Sequence, residues 1–350
     1  MKVLFRILIA ATILGTVYYY SVIAEDAVEL LQGPSGGVQP LPTTVLEADS
    51  DSIARPVNGL STYVGQSIDG MLSLYGQPVN RYMSAYGYEW WHYNIHGNLL
   101  LIGVTDDIVT QVYTNELAFD VSPYTIGQSL DDINRMTIFE QEVTVNIDEN
   151  IYMFMMREED LYSRILVKYD GVYAQLYIDK FSNKLVGIRY LDGETLVLHQ
   201  PYELQYVGDL IQSPTPSSFL QQEIDIALSA QLLDLVNNFR VKYDAQTLAR
   251  NDNLNIIARA HSEDMFLVNS LSHESLTSGT LEDRLNEQQI QYEEVSENLA
   301  SNYVDAIGVV HGWLNSEEHR EVMLDERFTH IGSGVFVNYY TQIFVTEKLV

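Results

Sequence analysis

The sequence contains no cysteine. That absence excludes disulfides, thiolate nucleophiles and cysteine-bound zinc or iron–sulfur centres together. Basic residues are scarce as well: 19 Lys and Arg stand against 48 Asp and Glu, a formal net charge of −29. A surface this acidic repels phosphate backbones and anionic lipid, which excludes nucleic acid as a partner, and it attracts cations and basic proteins. The plainest consequence of the charge is solubility in a salty or alkaline exterior. Two catalytic signatures are also missing, an HExxH helix and a serine–histidine–acid order.

What is present suffices for packed domains. The chain is 46% hydrophobic and 11% aromatic, and its 350 residues suggest two or three domains. Lys2 and Arg6 precede an apolar stretch from Ile7 to Ala24, so residues 1–24 read as a signal peptide or a membrane anchor. Export without a single bridge points to a bacterial exterior, with the folded part on the extracellular face, anchored or secreted. Residues 25–58, with Gly33-Pro34-Ser35-Gly36-Gly37, Pro40 and Pro42, read as a flexible linker too broken to pack.

Residues 59–211 carry an internal duplication. Tyr63-Val64-Gly65-Gln66-Ser67-Ile68-Asp69 recurs as Tyr124-Thr125-Ile126-Gly127-Gln128-Ser129-Leu130-Asp131. Each copy predicts a short helix with Ser67 or Ser129 as N-cap, followed by alternating strands with hairpin turns at Gly97-Asn98 and Asp170-Gly171. Trp90-Trp91-His92 invites a reading as a binding strip. A strand alternates faces, however, and core packing explains the pair more simply. Gln212-Ser213-Pro214-Thr215-Pro216-Ser217-Ser218 marks a second break, so 212–227 reads as a linker between two separately cored domains. From 228 to 350 helical spacing takes over, with Leu228, Leu232, Leu235, Val236 and Phe239, then Leu254, Ile257, Ala258, His261, Met265 and Val268. Two alternating strands close the chain.

Short signatures occur in order in this last part: Asn237-Asn238-Phe239-Arg240, Ala258 to Met265, Leu271-Ser272-His273, Asp283-Arg284, Glu297-Asn298-Leu299-Ala300, Trp313 to Arg320 and Ile331-Gly332-Ser333-Gly334. Together they resemble the bacterial branch of the CAP superfamily (cysteine-rich secretory proteins, antigen 5, pathogenesis-related 1). Residues 59–211 resemble the CAP-associated N-terminal domain of exported Bacillus-type proteins. The resemblance implies an α+β chain, with a C-terminal CAP α-β-α sandwich preceded by the duplicated α+β domain. It also implies a cleft where His273, Glu297 and His319 converge and which can hold a divalent metal such as zinc. The family's second glutamate falls at Ser316, with Glu317 one residue away as a substitute fourth acid; Asn298 and Ser316 would support the cleft.

The residues also have plainer roles. Ser316 can cap a helix whose first turn holds Glu317 and Glu318, His261 reads as a hydrogen-bonded core histidine, and Arg240 and Arg284 as structural salt bridges. Without a metal, a carboxylate between two imidazoles makes a proton-sharing cluster. Three functions stand open. One is a non-enzymatic surface module that binds a lipid, glycan, peptide or protein. The second is a metal-dependent hydrolase with Glu297 as base, and the third a structural tether.

Overall fold

The computed structural model describes residues 30–34, 37–42, 53–137 and 139–348. The expected signal or anchor at 1–24 lies outside the described residues, as does much of the expected linker. Among the described residues no helix is long and apolar enough to cross a membrane.

The described pieces of segment 25–58 are not all linker. Leu31–Gln32 (β1) pairs in parallel with Ala300 and Ser301, and Val38–Pro40 (β2) pairs with Leu204 to Tyr206. Gly33 lies so close to the backbone of Asn302 and Tyr303 that any Cβ there would collide. Composition predicted a free tether. The correction arises because two distant sheets offer open edges, and an edge strand recruits whatever extended chain reaches it.

The duplicated module begins with helix α1 (Asp69–Tyr75) and strands β3 (Asn80–Met83), β4 (Glu89–Ile95), β5 (Asn98–Thr105) and β6 (Ile108–Thr114). The second copy adds α2 (Leu130–Met136), β7 (Glu142–Ile147), β8 (Asn150–Met155), α3 (Asp160–Ser163), β9 (Arg164–Tyr169), β10 (Val172–Asp179) and β11 (Lys184–Leu191). Helix α4 (Gly193–His199) and β12 (Glu203–Val207) complete it. One sheet runs β3-β4-β5-β6-β11-β10-β9, and a second runs β2-β12-β8-β7. The repeat is visible in hydrogen bonds. Gly65 and Gly127 both have positive φ, and their N–H groups donate to Val109 and Leu185 respectively. The carbonyls of Gln66 and Gln128 accept from those same two residues. So each Gly-Gln-Ser turn docks on the equivalent strand, β6 or β11, of its own copy. Ser129 caps α2 by accepting from Asp132 N, whereas Ser67 accepts from Asp69 N one position earlier than a cap.

In the second module α5 (Ser218–Lys242) starts where Ser217 caps it, so the expected linker 212–227 shrinks to the residues before Ser218. Then follow β13 (Ala249–Arg250), α6 (Asp252–Val268), α7 (Leu281–Glu287), β14 (Tyr292–Ser301), α8 (Ala306–Leu314), α9 (Glu317–Leu324), β15 (His330–Phe336) and β16 (Tyr339–Glu347). The sheet order is β1-β14-β16-β15-β13. Helices α6 and α7 cover one face through Leu254, Ala258, Leu285 and Ile343; α5 and α8 cover the other through Leu232, Phe239, Val310 and Phe344. The Gly332-Ser333-Gly334 signature now has a cause. A Cβ at Gly332 would strike Leu254, and one at Gly334 would strike the backbone at Ala258 and Arg259. Helix α6 lies directly on these glycines.

The two modules are not separately cored. Trp90, Leu101, Tyr113 and Tyr177 of the first module share one hydrophobic cluster with Leu232, Phe239, Val310 and Trp313 of the second. This explains both tryptophans at once: Trp91 faces its own module's core, Trp90 faces the neighbour, and both are buried. Gly187 on β11 approaches the His311 ring too closely for a side chain. Polar bonds reinforce the seam. Arg189 donates to both oxygens of Asp305 at 2.9 and 2.8 Å, and Arg320 donates to the fully buried Asp179 at 3.0 Å. Asn115 donates to Asn238 at 2.6 Å.

Candidate functional site

Strand β14 carries Glu297 and Asn298, and consecutive strand residues face opposite ways. Glu297 sits opposite Ile343, on the face covered by α6 and α7. Helix α7 starts with a capping box between Thr280 and Asp283, which fixes its first turn and aims Arg284 at the sheet. Arg284 Nη2 donates to Glu297 Oε1 at 2.8 Å and to the His273 carbonyl at 3.1 Å. His273 Nδ1 donates to the same Oε1 at 3.0 Å. On α6, His261 Nε2 donates to the Ser272 carbonyl at 2.9 Å and so pins the loop that presents His273.

Burial would push the Glu297 carboxyl up, but the hydrogen bond from His273 and the Arg284 guanidinium outweigh it and hold the group below its ordinary value. Burial pushes His261 down to about 4, against the pull of Glu297. His261 is therefore a neutral, hydrogen-bonded core histidine, as its place on the apolar stripe predicts. Arg284 is a salt bridge, also as read from the sequence, but its partner is the site carboxylate itself. Reading the sequence left it out of the site; the signal was the capping pattern one residue ahead of it.

His319 is held differently. Its Nδ1 lies 2.7 Å from Ser316 Oγ, and its carbonyl accepts from Asn298 Nδ2 at 2.9 Å. Asn298 lies on the other face of β14, so the backbone of His319 is tied to the strand from the side of α8 and α9, while His273 meets Glu297 from the side of α6 and α7. The structure thus brings His273 and Glu297 together, adds Arg284, and attaches His319 through Asn298. Ser316 occupies the N-cap position of α9 without a side-chain cap bond, contrary to expectation, because its hydroxyl is turned to His319. Glu317 and Glu318 are exposed in the first turn of α9, where the helix dipole favours them. Arg240 donates to the carbonyls of Gln246 and Met323 rather than to a carboxylate.

These residues do not fit a divalent metal. Oε1 of Glu297 already accepts from both His273 and Arg284, and the guanidinium supplies beside it the positive charge an ion would bring. Among the described residues no group of three or more His, Asp or Glu is placed to hold a metal ion. What the arrangement does offer is unmatched hydrogen-bonding capacity. Glu297 Oε2, His273 Nε2, His261 Nδ1 and Arg284 Nη1 are buried without a hydrogen-bond partner. The bonds already made fix their roles when both histidines are neutral: the first three accept and the last donates.

An α-β-α sandwich with this ordered signature set, fused to a duplicated α+β module, defines a class. Residues 233–347 match the cysteine-rich secretory protein family (CAP), and residues 64–202 match the CAP-associated N-terminal domain. The chain belongs to the cysteine-rich secretory protein family, although it has no cysteine. It is 38% identical over 294 residues to YlbC of Bacillus subtilis (strain 168), described as an uncharacterized membrane protein, covering 84% of this chain and 85% of that one. The crystal structure of an extracellular SCP-domain protein from Bacillus anthracis str. Ames superposes with a TM-score of 0.79 at 32% identity, covering 87% of this chain and 100% of that one. A cysteine-rich secretory protein from Staphylococcus aureus subsp. aureus Mu50 shares the fold, with a TM-score of 0.76 at 24% identity over 91% of this chain and 98% of that one.

Proposed function

We propose that this chain is an extracellular, cell-surface CAP protein that binds a polar ligand at the Glu297–His273–Arg284 cluster without chemical turnover. The location is supported by the basic, apolar N-terminal sequence and by relatives described as an extracellular protein and a membrane protein. The observation that carries the binding reading is the set of buried, unpartnered polar atoms around a carboxylate that is already neutralised. A ligand rich in hydroxyl, amide or amine donors would complete three acceptors and one donor that now go unmatched. The Arg284 guanidinium, with the hydrogen bond from His273, holds the Glu297 carboxyl below its ordinary value, which makes it a weak general base and argues against metal-dependent hydrolysis.

The test is calorimetric titration of the purified chain with soluble cell-wall glycopeptide fragments, with mass spectrometry of the mixture afterwards. Binding with intact fragments, weakened at least tenfold in Arg284→Gln, supports the reading. Fragment cleavage, or stoichiometric zinc binding lost in His273→Ala, would replace it with the hydrolase.

A further inference from the structure

The seam between the modules holds a half-open cavity of about 220 Å³, and none of His273, Arg284 and Glu297 lines it. Arg164, Gln175 and Arg189 of the first module line one side, and Tyr303, Asp305 and Gly308 of the second line the other.

Most of the polar groups around it are matched. Arg189 Nη2 is bidentate to Asp305, and Arg189 Nη1 donates to His199 Nδ1 at 3.3 Å. Arg164 Nη2 donates to Asp160 at 2.9 Å, and Gln175 bonds both Tyr202 and Tyr177. Two donors remain: the Nε–H of Arg164 and the Nε–H of Arg189 are buried with no acceptor. Arg189 is 1% exposed. A buried donor left unmatched is costly, so a ligand supplying acceptors to both has a clear advantage.

The kind of acceptor follows from the charges. Each guanidinium already has its own carboxylate, so the cavity lacks hydrogen-bond acceptors and not negative charge. A chain of net charge −29 also resists the entry of anions. Tyr86 and Tyr303 offer aromatic surface for C–H groups, and Asn302 and Asn338 border the cavity with amides that both donate and accept. The volume exceeds the roughly 150 Å³ that admits a benzene ring and falls below the roughly 300 Å³ typical of drug-sized sites. That leaves room for one oxygen-rich ring.

We propose that the seam cavity binds a single neutral saccharide unit, whose oxygens accept from the Nε–H groups of Arg164 and Arg189. The site is independent of the function proposed for the Glu297 cluster, and neither stands or falls with the other.

The full chain is titrated with N-acetylglucosamine and with glucose, and in parallel with phosphate and acetate, while the arginine Nε–H resonances are followed by NMR. Saturable shifts of the Arg164 and Arg189 signals with at least one of the two sugars are expected. Arg164→Lys keeps a cation for Asp160 but has no Nε–H, and should weaken binding at least tenfold. Gly308→Leu fills the cavity and leaves both ion pairs in place; its Cβ would meet Tyr303 at 3.3 Å, a contact a tyrosine ring can relieve. It should abolish the shifts while the remaining spectrum stays folded. The proposal is overturned if neither sugar gives saturable shifts, which would mean that the cavity holds only water. It is equally overturned if phosphate or acetate produces the shifts in place of sugar, or if both variants bind like the wild type.

Discussion

Three histidines buried along the seam make the folded chain sensitive to mild acid. His92 and His199 are each pushed down to about 3, chiefly by burial and, for His199, also by Arg189. His311 is driven well below its ordinary value of 6.5 by burial and then by Arg189. Geometry agrees for His199, since Arg189 donates to its Nδ1, leaving Nε2–H for Tyr88 at 3.0 Å and no room for a second proton. Each imidazole is therefore neutral when folded and takes up a proton on unfolding once the pH falls below about 6.5. The unfolded state then binds more protons, so stability is complete above that pH and is lost as the pH falls towards the folded values. Between about pH 7 and about pH 5.5 the loss is about 1.3 kcal/mol per histidine, roughly 4 kcal/mol for the three, a large part of a typical domain's stability. Urea denaturation at both pH values measures the total. His92→Phe isolates one contribution, because the His92 ring already packs edge-on against Tyr82 and its Nε2 has no partner. The variant's stability should fall by about 1.3 kcal/mol less than the wild type's over this interval. An unchanged pH dependence would mean that His92 is hydrated and that the seam is looser than its packing implies. Asp225 and Asp234, raised by burial, act in the opposite sense, which is why the variant difference is the decisive quantity.

Other outcomes follow from the same contacts. Gly334→Ala places a methyl group against the backbone of α6 and should cost about 3 kcal/mol or more; a thermal midpoint within a degree or two of wild type would contradict that close approach. Glu297→Gln leaves Arg284 buried without its anion and should destabilise by about 3 kcal/mol, read by chemical denaturation; no change would mean the carboxylate is hydrated. Asp305→Ala strips Arg189 of its counter-ion and should cost about 3–5 kcal/mol, with both modules still unfolding in one calorimetric transition; two separated transitions would refute the shared core.

How much of this was legible in the sequence depended on whether a residue's partner was local. Helix α6 was legible because its apolar stripe, from Leu254 to Val268, is contained in one window. The Gly-Gln-Ser repeat was legible for the same reason. Strand β14 was not read as a strand, because Ser296-Glu297-Asn298 interrupts the alternation with buried polar groups whose partners, Arg284 and His319, lie on other elements. The family signatures brought attention to His273 and Glu297. They gave no hint that Asn298 is directed to the opposite face, where it holds the His319 carbonyl. Sequence order can report that residues belong to one site without reporting which side of a strand each one reaches.

The seam shows the same limit at larger scale. A Pro/Ser-rich break between two motifs was read as separating two cores, on the ordinary logic of linkers. Yet a sheet that hides both Trp90 and Trp91 must be covered twice, and its own module supplies only one cover. The second cover is helix α5, continuous from Ser218, and part of the signature set serves that contact: Asn238 meets Asn115, and Arg320 reaches Asp179. Residues read as marks of one domain are thus partly the means by which it holds the other. The duplicated module is then better understood as half of a single body, which places Arg164 and Arg189 where the second module can close a cavity over them.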